Sequence, residues 1–201
     1  MSIEILPPTV RQRIAAGEVI ERPASTVKEL VENAIDAGAR SISIQVRNGG
    51  LSMIRVADDG CGMNRRDAEL CLTRFSTSKI ASLEDLKTIR TLGFRGEALS
   101  SIVAVADLEI LTRTADEVEG TRVQATGEKT VVQPAGSPVG TSITVHGLFQ
   151  RLPARRRFLK SRMRETELVQ QTVSGFALAY PNVGFRLMVD DGARLIAPPS
   201  T

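Results

Sequence analysis

Tryptophan is absent from this 201-residue sequence, and other aromatic residues are rare, with one tyrosine and six phenylalanines. The core must therefore be built mainly from Ile, Leu, Val and Ala. The hydrophobic content of 42% suits one soluble globular domain, or one domain and a fragment of another. No apolar run approaches membrane-spanning length, and residues 1–8 lack the basic start and apolar centre of a signal peptide.

Cysteine and histidine are equally scarce. Cys61 and Cys71 do not make a disulfide framework in a chain of this length, and His146 is too far away in sequence to complete a good zinc site with them. These absences predict a cytoplasmic protein with free thiols and no metal held by Cys or His. The net charge of +3 is too small to indicate nucleic-acid binding by itself.

Basic residues are nevertheless concentrated in one stretch. No acidic residue interrupts the following set: Arg151, Arg155, Arg156, Arg157, Lys160, Arg162 and Arg164. Such a run is typical of a solvated helix face, and it equally suits contact with phosphates of DNA or of a nucleotide. Only Phe158 could stack on a base, so sequence-specific reading of single strands is not indicated.

A short helix is predicted over residues 28–37. Apolar residues recur there at helical spacing: Val27, Leu30, Val31, Ala34 and Ile35. Pro23 fits the start of the helix, Ser25 and Thr26 offer capping hydroxyls, and Gly38 ends it.

Glu29 and Asn33 are four residues apart, so they project from the same face of that helix. The carboxylate can take a proton from water, and the amide oxygen can ligate a hard cation such as magnesium. A solvated face that happens to carry a charge and an amide is the alternative for this stretch alone.

Strand hairpins alternate irregularly with helices along the rest of the chain. Residues 42–46, 51–57, 108–114, 121–126, 129–133, 141–145 and 183–189 are predicted strands, the last of these ending the sheet, with Asp190-Asp191-Gly192 as a turn after it. Helices are predicted near 10–16, 67–73, 83–89 and 98–105, and in two pieces over 154–180. This order predicts an α+β fold, a two-layer sandwich whose mixed, mostly antiparallel sheet carries helices on one face.

Two glycine-containing loops are placed to carry chemistry. Asp58-x-Gly60-x-Gly62 follows a strand, where its backbone can approach a flat ligand and its carboxylate can accept a hydrogen bond from an exocyclic amine. Gly93-Phe94-Arg95-Gly96-Glu97 precedes a helix and exposes backbone N–H groups to an anion. A hairpin turn and an ordinary capped loop are the respective alternatives. Gly140-Thr141 is either a plain strand start or a hydroxyl directed at a phosphate or base.

The two commonest nucleotide motifs are missing. No Gly-x-x-x-x-Gly-Lys-Ser/Thr occurs, and Gly60-Cys61-Gly62 runs on to Arg65 rather than to a third glycine. A P-loop or a dinucleotide-binding fold is therefore disfavoured.

Taken together, the motifs resemble the N-terminal ATPase region of MutL-type DNA mismatch repair proteins. That region belongs to the wider GHKL family of DNA gyrase, a class of heat-shock chaperones and histidine kinases, whose ATP-binding fold is the Bergerat fold. The stretches that single out the MutL type are Ala16-Gly17-Glu18-Val19, Thr77-Ser78-Lys79-Ile80 and Gly93-Phe94-Arg95-Gly96-Glu97-Ala98-Leu99. The match runs from residue 14 to residue 159. It departs from the family pattern at Arg74-Phe75-Ser76 and at Arg151-Leu152.

The resemblance implies a role for each matching residue. Glu29 would be the general base, Asn33 would ligate magnesium, and Asp58 would bind the adenine amine of ATP. Further nucleotide contacts are implied for Gly60, Gly62, Met63, Thr77, Ser78, Lys79, Gly93, Phe94, Arg95, Gly96, Glu97, Ala98, Leu99 and Thr141. Residues 77–79 would lie in a lid, residues 93–99 would wrap the phosphates, and Thr141 would support the adenine end.

The resemblance also implies an organisation and partners. Residues 1–20 would order with nucleotide and join a dimer interface, residues 21–197 would form the ATPase domain, and residues 198–201 would begin a linker to a second domain. The implied partners are a MutS-type mismatch recognition protein, a second copy in an ATP-dependent homodimer, and a downstream nuclease, helicase or sliding clamp. Weak, sequence-independent DNA binding is implied for Arg155, Arg156, Arg157 and Lys160, with no membrane association and with nucleoid association on DNA.

Two functions from different classes fit these residues. The first is a slow, magnesium-dependent ATPase acting as a molecular switch, because phosphoryl transfer needs positioning and charge neutralisation more than covalent chemistry. The second is a nucleotide-gated binding module with negligible hydrolysis. A chaperone or kinase ATP-binding domain is a further reading, and the segment 93–99 argues against it.

Overall fold

The computed structural model describes residues 7, 16–17, 19–79, 91–93 and 96–200. The predicted helices near 10–16 and over 83–89 lie almost wholly outside these residues. Strands β1 to β8 span Ser41–Arg47, Met53–Asp58, Asp107–Arg113, Gly120–Thr126, Lys129–Ala135, Gly140–His146, Gly184–Val189 and Gly192–Ala197. Helices α1 to α5 span Pro23–Asp36, Arg65–Leu70, Ala98–Val105, Pro153–Arg157 and Arg162–Ala179.

The eight strands form one sheet in the order β5-β4-β3-β6-β2-β1-β7-β8. Every neighbouring pair is antiparallel except β1 and β7, which run parallel. Helices α1, α3 and α5 cover the apolar face of the sheet. The predicted α+β fold with a mixed, mostly antiparallel sheet is confirmed.

On the inner face of the sheet, an apolar row of side chains lies next to a row that is mostly polar. One row across the strands is entirely apolar and buried, and comprises Val123, Ile110, Ile143, Val56, Ile44 and Leu187. The adjacent row, two residues along each strand, comprises Thr121, Thr112, Thr141, Asp58, Ile42 and Phe185. Four neighbouring strands thus present polar side chains at one end of an otherwise apolar layer, and the candidate site lies at that end.

Two local predictions are wrong. Ser25 and Thr26 do not cap α1; they lie inside the helix, which begins at Pro23, and the buried Thr26 hydroxyl has no hydrogen-bond partner among the described residues. The strand over Gly184–Val189 is not the last one, because β8 follows it across the predicted Asp190-Asp191-Gly192 turn.

Other boundaries follow the chemistry of the sequence. Gly38 ends α1 with a positive φ of 74°, and the backbone N–H of Ala39 bonds back to the carbonyl of Ala34. Asn64 and Ser161 cap α2 and α5 by accepting backbone N–H groups of their first turns. Among the described residues, no helix has both the length and the apolar composition needed to cross a membrane.

Candidate functional site

A cleft of about 1260 Å³ lies between α1, the polar ends of β2 and β6, and the start of α3. Most of the described residues predicted from the motifs line it: Glu29, Asn33, Asp58, Gly62, Met63, Thr77, Ser78, Lys79, Gly93, Gly96, Glu97, Ala98, Leu99 and Thr141. Phe94 and Arg95 lie outside the described residues. Segments separated by more than a hundred residues in sequence therefore share one cleft.

Glu29 faces this cleft from the middle of α1, with 27% of its side chain exposed. Burial raises the pKa of its carboxyl group, opposed by the positive charges of Lys28 and Lys79. The Lys28 ammonium lies 3.7 Å from the Glu29 carboxylate and 2.7 Å from that of Glu32. A partly buried carboxylate with a raised pKa is suited to accept a proton from water.

Asn33 and Asp36, further along the same helix, hold the ammonium group of Lys79. Its Nζ atom lies 3.0 Å from Asn33 Oδ1 and 2.5 Å from Asp36 Oδ2. Asp36 also accepts the backbone N–H groups of Leu92 at 2.9 Å and Gly93 at 3.1 Å, and only 7% of its side chain is exposed. One carboxylate thus joins α1 to the segments on either side of residues 80–90.

Asn33 fits magnesium, because its amide oxygen faces the cleft and already holds a cation. Magnesium commonly takes one or two protein oxygens and completes its shell with water and substrate phosphates. The described parts of the chain contain no cluster of three His, Cys, Asp or Glu side chains placed to hold a metal by themselves.

Asp58 is the last residue of β2 and belongs to the polar row of the sheet. Burial raises the pKa of its carboxyl group, while the backbone N–H groups of Gly60 and Thr141 oppose the rise. Asp58 Oδ1 accepts the Gly60 N–H at 2.9 Å. The Asp58 carboxylate lines the cleft beside Gly62, where it can accept a hydrogen bond from the amine of a purine ring.

The loop after Asp58 is fastened to the end of α1 rather than forming the hairpin turn that was its alternative. The backbone N–H of Cys61 bonds to the Ala37 carbonyl at 2.9 Å, and a side chain on Gly60 would lie 2.8 Å from that carbonyl oxygen. Asp59 accepts the backbone N–H groups of Arg40 and Ser41, both at 2.8 Å. The Asp58 end of the cleft and the C-terminal end of α1 are therefore positioned by one another.

The two glycines at the far side of this end are sterically required. Gly62 has a φ of 71°, and a Cβ atom there would overlap the carbonyl oxygen of Arg113. Gly140 has a φ of 113°, and a Cβ atom there would overlap the carbonyl oxygen of Asp58. Only glycine allows β6 to pass so close to Asp58, and Thr141 follows it at the edge of the cleft.

At the start of α3, a backbone contact joins the segment before residues 77–79 to the segment 93–99. Phe75 N–H bonds to the Gly96 carbonyl at 3.0 Å, and Gly96 has a φ of 62°. The Glu97 carboxylate is paired with the Arg74 guanidinium at 3.4 Å, which offsets its repulsion of a bound anion. Ala98 and Leu99, the first residues of α3, line the cleft, so the N-terminal end of this helix borders it.

The predicted DNA residues are separate from the cleft and are not equivalent to one another. Arg156, Arg157 and Lys160 are exposed, whereas Arg155 is half-buried and donates to the Gly17 carbonyl. Arg151 pairs with Asp107, Arg162 with Asp190 and Arg164 with Glu167. Arg151, at the Arg151-Leu152 departure from the family pattern, is thus held by an ion pair to β3.

Sequence reasoning missed three residues of this site: Asp36, Asp59 and Thr112. Asp36 was available to the same helical-face argument as Glu29 and Asn33, since it follows Asn33 by three residues. Thr112 is a polar residue at an inward-facing position of a predicted strand, which is an unusual place for a hydroxyl group.

The fold and the cleft define a class of protein. The family model described as histidine kinase-, DNA gyrase B- and HSP90-like ATPase matches residues 21–143, and the chain belongs to that family. Within it, the chain is similar to MutL proteins, so the resemblance inferred from the motifs is confirmed. It is 51% identical over 187 residues to the DNA mismatch repair protein MutL of Actinobacillus pleuropneumoniae, covering 92% of this chain and 30% of that protein.

Two further comparisons agree. The DNA mismatch repair protein MutL of Agathobacter rectalis is 47% identical over 195 residues, which cover 96% of this chain and 30% of that protein. The solved structure of the Aquifex aeolicus MutL ATPase domain complexed with ADP superposes with a TM-score of 0.74 at 32% identity, covering 91% of this chain and 66% of that one. The chain therefore spans about 30% of the length of these curated relatives.

Proposed function

We propose that this chain is the ATP-binding and ATP-hydrolysing domain of a DNA mismatch repair protein. In this proposal it is an ATP-gated dimerisation switch that couples mismatch recognition to downstream repair in the cytoplasm. The observation that carries the proposal is the convergence of Glu29, Asn33 and Asp58 on one cleft, with a partly buried carboxylate of raised pKa at each end.

In this proposal Asp58 accepts a hydrogen bond from the adenine amine and Thr141 supports the same end of the base. The segments 77–79 and 93–99 surround the phosphates with backbone N–H groups and with the Lys79 ammonium. Glu29 takes a proton from the water that attacks the terminal phosphorus, as the bond to the ADP oxygen breaks. Asn33 would hold magnesium, which supplies charge neutralisation on the phosphates.

The partners follow from the relatives and not from contacts in this structure. We propose a MutS-type protein, a second copy of the chain, and a downstream nuclease, helicase or sliding clamp. DNA would contact the exposed side chains of Arg156, Arg157 and Lys160, with nucleoid association on DNA. The segment 1–20, the domain over 21–197 and the linker from 198 stay predictions.

Steady-state phosphate release tests the proposal. Glu29→Ala should retain nucleotide binding and lose turnover by about 10²–10⁴-fold, as expected for removal of a general base. Glu128→Gln, which alters an exposed carboxylate outside the cleft, is the control and should retain turnover. Unchanged turnover in Glu29→Ala would overturn the assignment.

A nucleotide-gated binding module without hydrolysis is the second candidate. One observation favours it. The Lys79 ammonium lies against Asp36 and against Asn33, the proposed magnesium ligand, so the metal needed for hydrolysis meets a competing cation. Binding without phosphate release by the unaltered chain would select this second function.

A further inference from the structure

Thr112 lies behind the adenine end of the cleft, fully buried at 0% exposure on β3. Its hydroxyl oxygen contacts three groups: the Met63 N–H at 2.8 Å, the Gly140 carbonyl at 3.1 Å and the Thr141 hydroxyl at 3.0 Å. Each of these partners belongs to a segment that shapes the site. Thr112 itself does not line the cleft, so it acts only through its neighbours.

The number of protons at this oxygen restricts the network. A hydroxyl has one proton and two lone pairs, and the Met63 N–H occupies one lone pair. If the Thr112 proton goes to the Gly140 carbonyl, Thr141 must donate its own proton to Thr112. Thr141 then presents only lone pairs to the cleft and acts as an acceptor toward a ligand.

The opposite direction of the hydrogen bond between Thr112 and Thr141 is also compatible with these distances. If Thr112 donates to Thr141, the Thr141 proton is free to turn toward the ligand, and Thr141 becomes a donor. The Gly140 carbonyl is therefore what permits Thr141 to be an acceptor, because it gives the Thr112 proton another place to go. Asp58, directly opposite Thr141 in the sheet, is an acceptor in its ionised form.

We propose that Thr112 is a positioning residue that sets the hydrogen-bond polarity of Thr141 and thereby selects a purine with an amine, rather than a carbonyl, at its six position. The inference rests on the proposed nucleotide site. An amine meets two acceptors in Asp58 and Thr141, whereas the carbonyl of a hypoxanthine base would face the Asp58 carboxylate. Removing the Thr112 hydroxyl leaves Thr141 free to rotate and weakens this preference.

Calorimetric titration with ADP and with IDP measures the preference without hydrolysis. The unaltered chain should bind ADP more tightly than IDP. Thr112→Val, which keeps the shape and loses the hydroxyl, should weaken ADP binding about three- to tenfold and lower the ADP-to-IDP ratio by a similar factor. Thr112→Ser should restore both values.

Two controls separate positioning from folding. Thr121 lies opposite Thr112 on β4, is 5% exposed, and is outside this hydrogen-bond network, so Thr121→Val should bind both nucleotides as the unaltered chain does. In a Thr141→Val background, Thr112→Val should cause no further loss of ADP affinity, because Thr112 acts through Thr141.

Each remaining outcome overturns a distinct claim. Equal weakening of ADP and IDP by Thr112→Val, or no weakening, contradicts the positioning role while leaving the nucleotide site standing. An additive loss in the double variant contradicts action through Thr141. Absence of ADP binding by the unaltered chain contradicts the proposed function itself.

Discussion

The ammonium nitrogen of Lys79 lies 3.0 Å from the amide oxygen of Asn33. This is the oxygen to which we assign magnesium, so a cation of the chain itself faces the metal position. Asp36 holds the same ammonium at 2.5 Å and is nearly buried. Magnesium and Lys79 must therefore compete for Asn33, or Lys79 must move toward the phosphates when nucleotide binds.

Removing this ammonium should make the metal position easier to occupy. In Lys79→Met, the magnesium concentration for half-maximal binding of a non-hydrolysable ATP analogue should fall severalfold, even though total affinity falls through loss of a phosphate contact. The measurement is analogue binding across a magnesium series. Lys129→Met removes the same charge from the exposed strand β5 and should leave the magnesium concentration for half-maximal binding unchanged. If Lys79→Met also leaves that concentration unchanged, the proposed competition is wrong.

Burial of the Glu29 carboxylate should cost stability at neutral pH. Since burial raises its pKa in the folded state, the folded chain binds more protons than the unfolded chain at pH values between the unfolded and the folded pKa of this group. The stability contribution is complete below the unfolded pKa and is lost as pH rises through the folded pKa.

Glu29→Gln should therefore raise the melting temperature at pH 7, where the cost of burying the ionised carboxylate is fully present. The gain should shrink as pH falls through the raised pKa of folded Glu29 and should vanish below about 4.3, the ordinary glutamate pKa, where this carboxyl group is protonated in both the folded and the unfolded chain. Thermal denaturation across this pH range checks the sign. Glu32→Gln loses the 2.7 Å pair with Lys28 and should show no such gain; a lower melting temperature for Glu29→Gln at pH 7 would contradict the burial argument.

The close approach of Gly140 to Asp58 should make this glycine irreplaceable. Gly140→Ala should cost at least about 3 kcal/mol in the free energy of unfolding, because backbone strain and overlap with a carbonyl act together. Gly127→Ala is the matched control, since its φ of 62° is also positive but a Cβ atom there meets nothing within 4 Å. We expect it to cost only about 1–2 kcal/mol. The free energies of unfolding are measured by urea denaturation. Equal losses for Gly140→Ala and Gly127→Ala would contradict the prediction, because they would mean that the overlap with the Asp58 carbonyl is relieved.

The exposed arginines of α4 should contribute to non-specific DNA binding. Arg156→Glu with Arg157→Glu should weaken binding to a DNA duplex, and the slope of log K against log salt should fall in magnitude by about two, at ~0.9 per phosphate contact. Arg186→Glu with Arg194→Glu reverses the same charge on exposed strand positions and should leave the slope unchanged. Identical slopes in both double variants would place the DNA surface elsewhere.

Most strands could be predicted because their inward residues alternate with outward ones. In β1, Ile42, Ile44 and Val46 are buried while their neighbours are not, and this period of two is visible in the sequence. Strand β8 lacks the pattern, since Ile196 is 68% exposed at the edge of the sheet. An edge strand with little burial carries no periodic signal, so it was predicted only as residues after a turn.

The site could be predicted where one motif carries both residue type and spacing, as for Glu29 and Asn33. The role of Thr112 could not be predicted, because it depends on strand pairing. That pairing places Thr112 between Met63 and Thr141, which are 49 and 29 residues away in sequence. The false capping prediction at Ser25 and Thr26 has a local cause: Pro23 begins the helix earlier and places both hydroxyls inside it.

Titration of a non-hydrolysable ATP analogue with magnesium, on the unaltered chain and on Asp58→Ala, tests the central claim most directly. We predict measurable binding by the unaltered chain and its loss in Asp58→Ala, with the variant still folded, as a cooperative thermal unfolding transition would show. Equal binding by both chains would contradict the placement of adenine at Asp58. Absence of binding by the unaltered chain would contradict the assignment of this cleft as a nucleotide site.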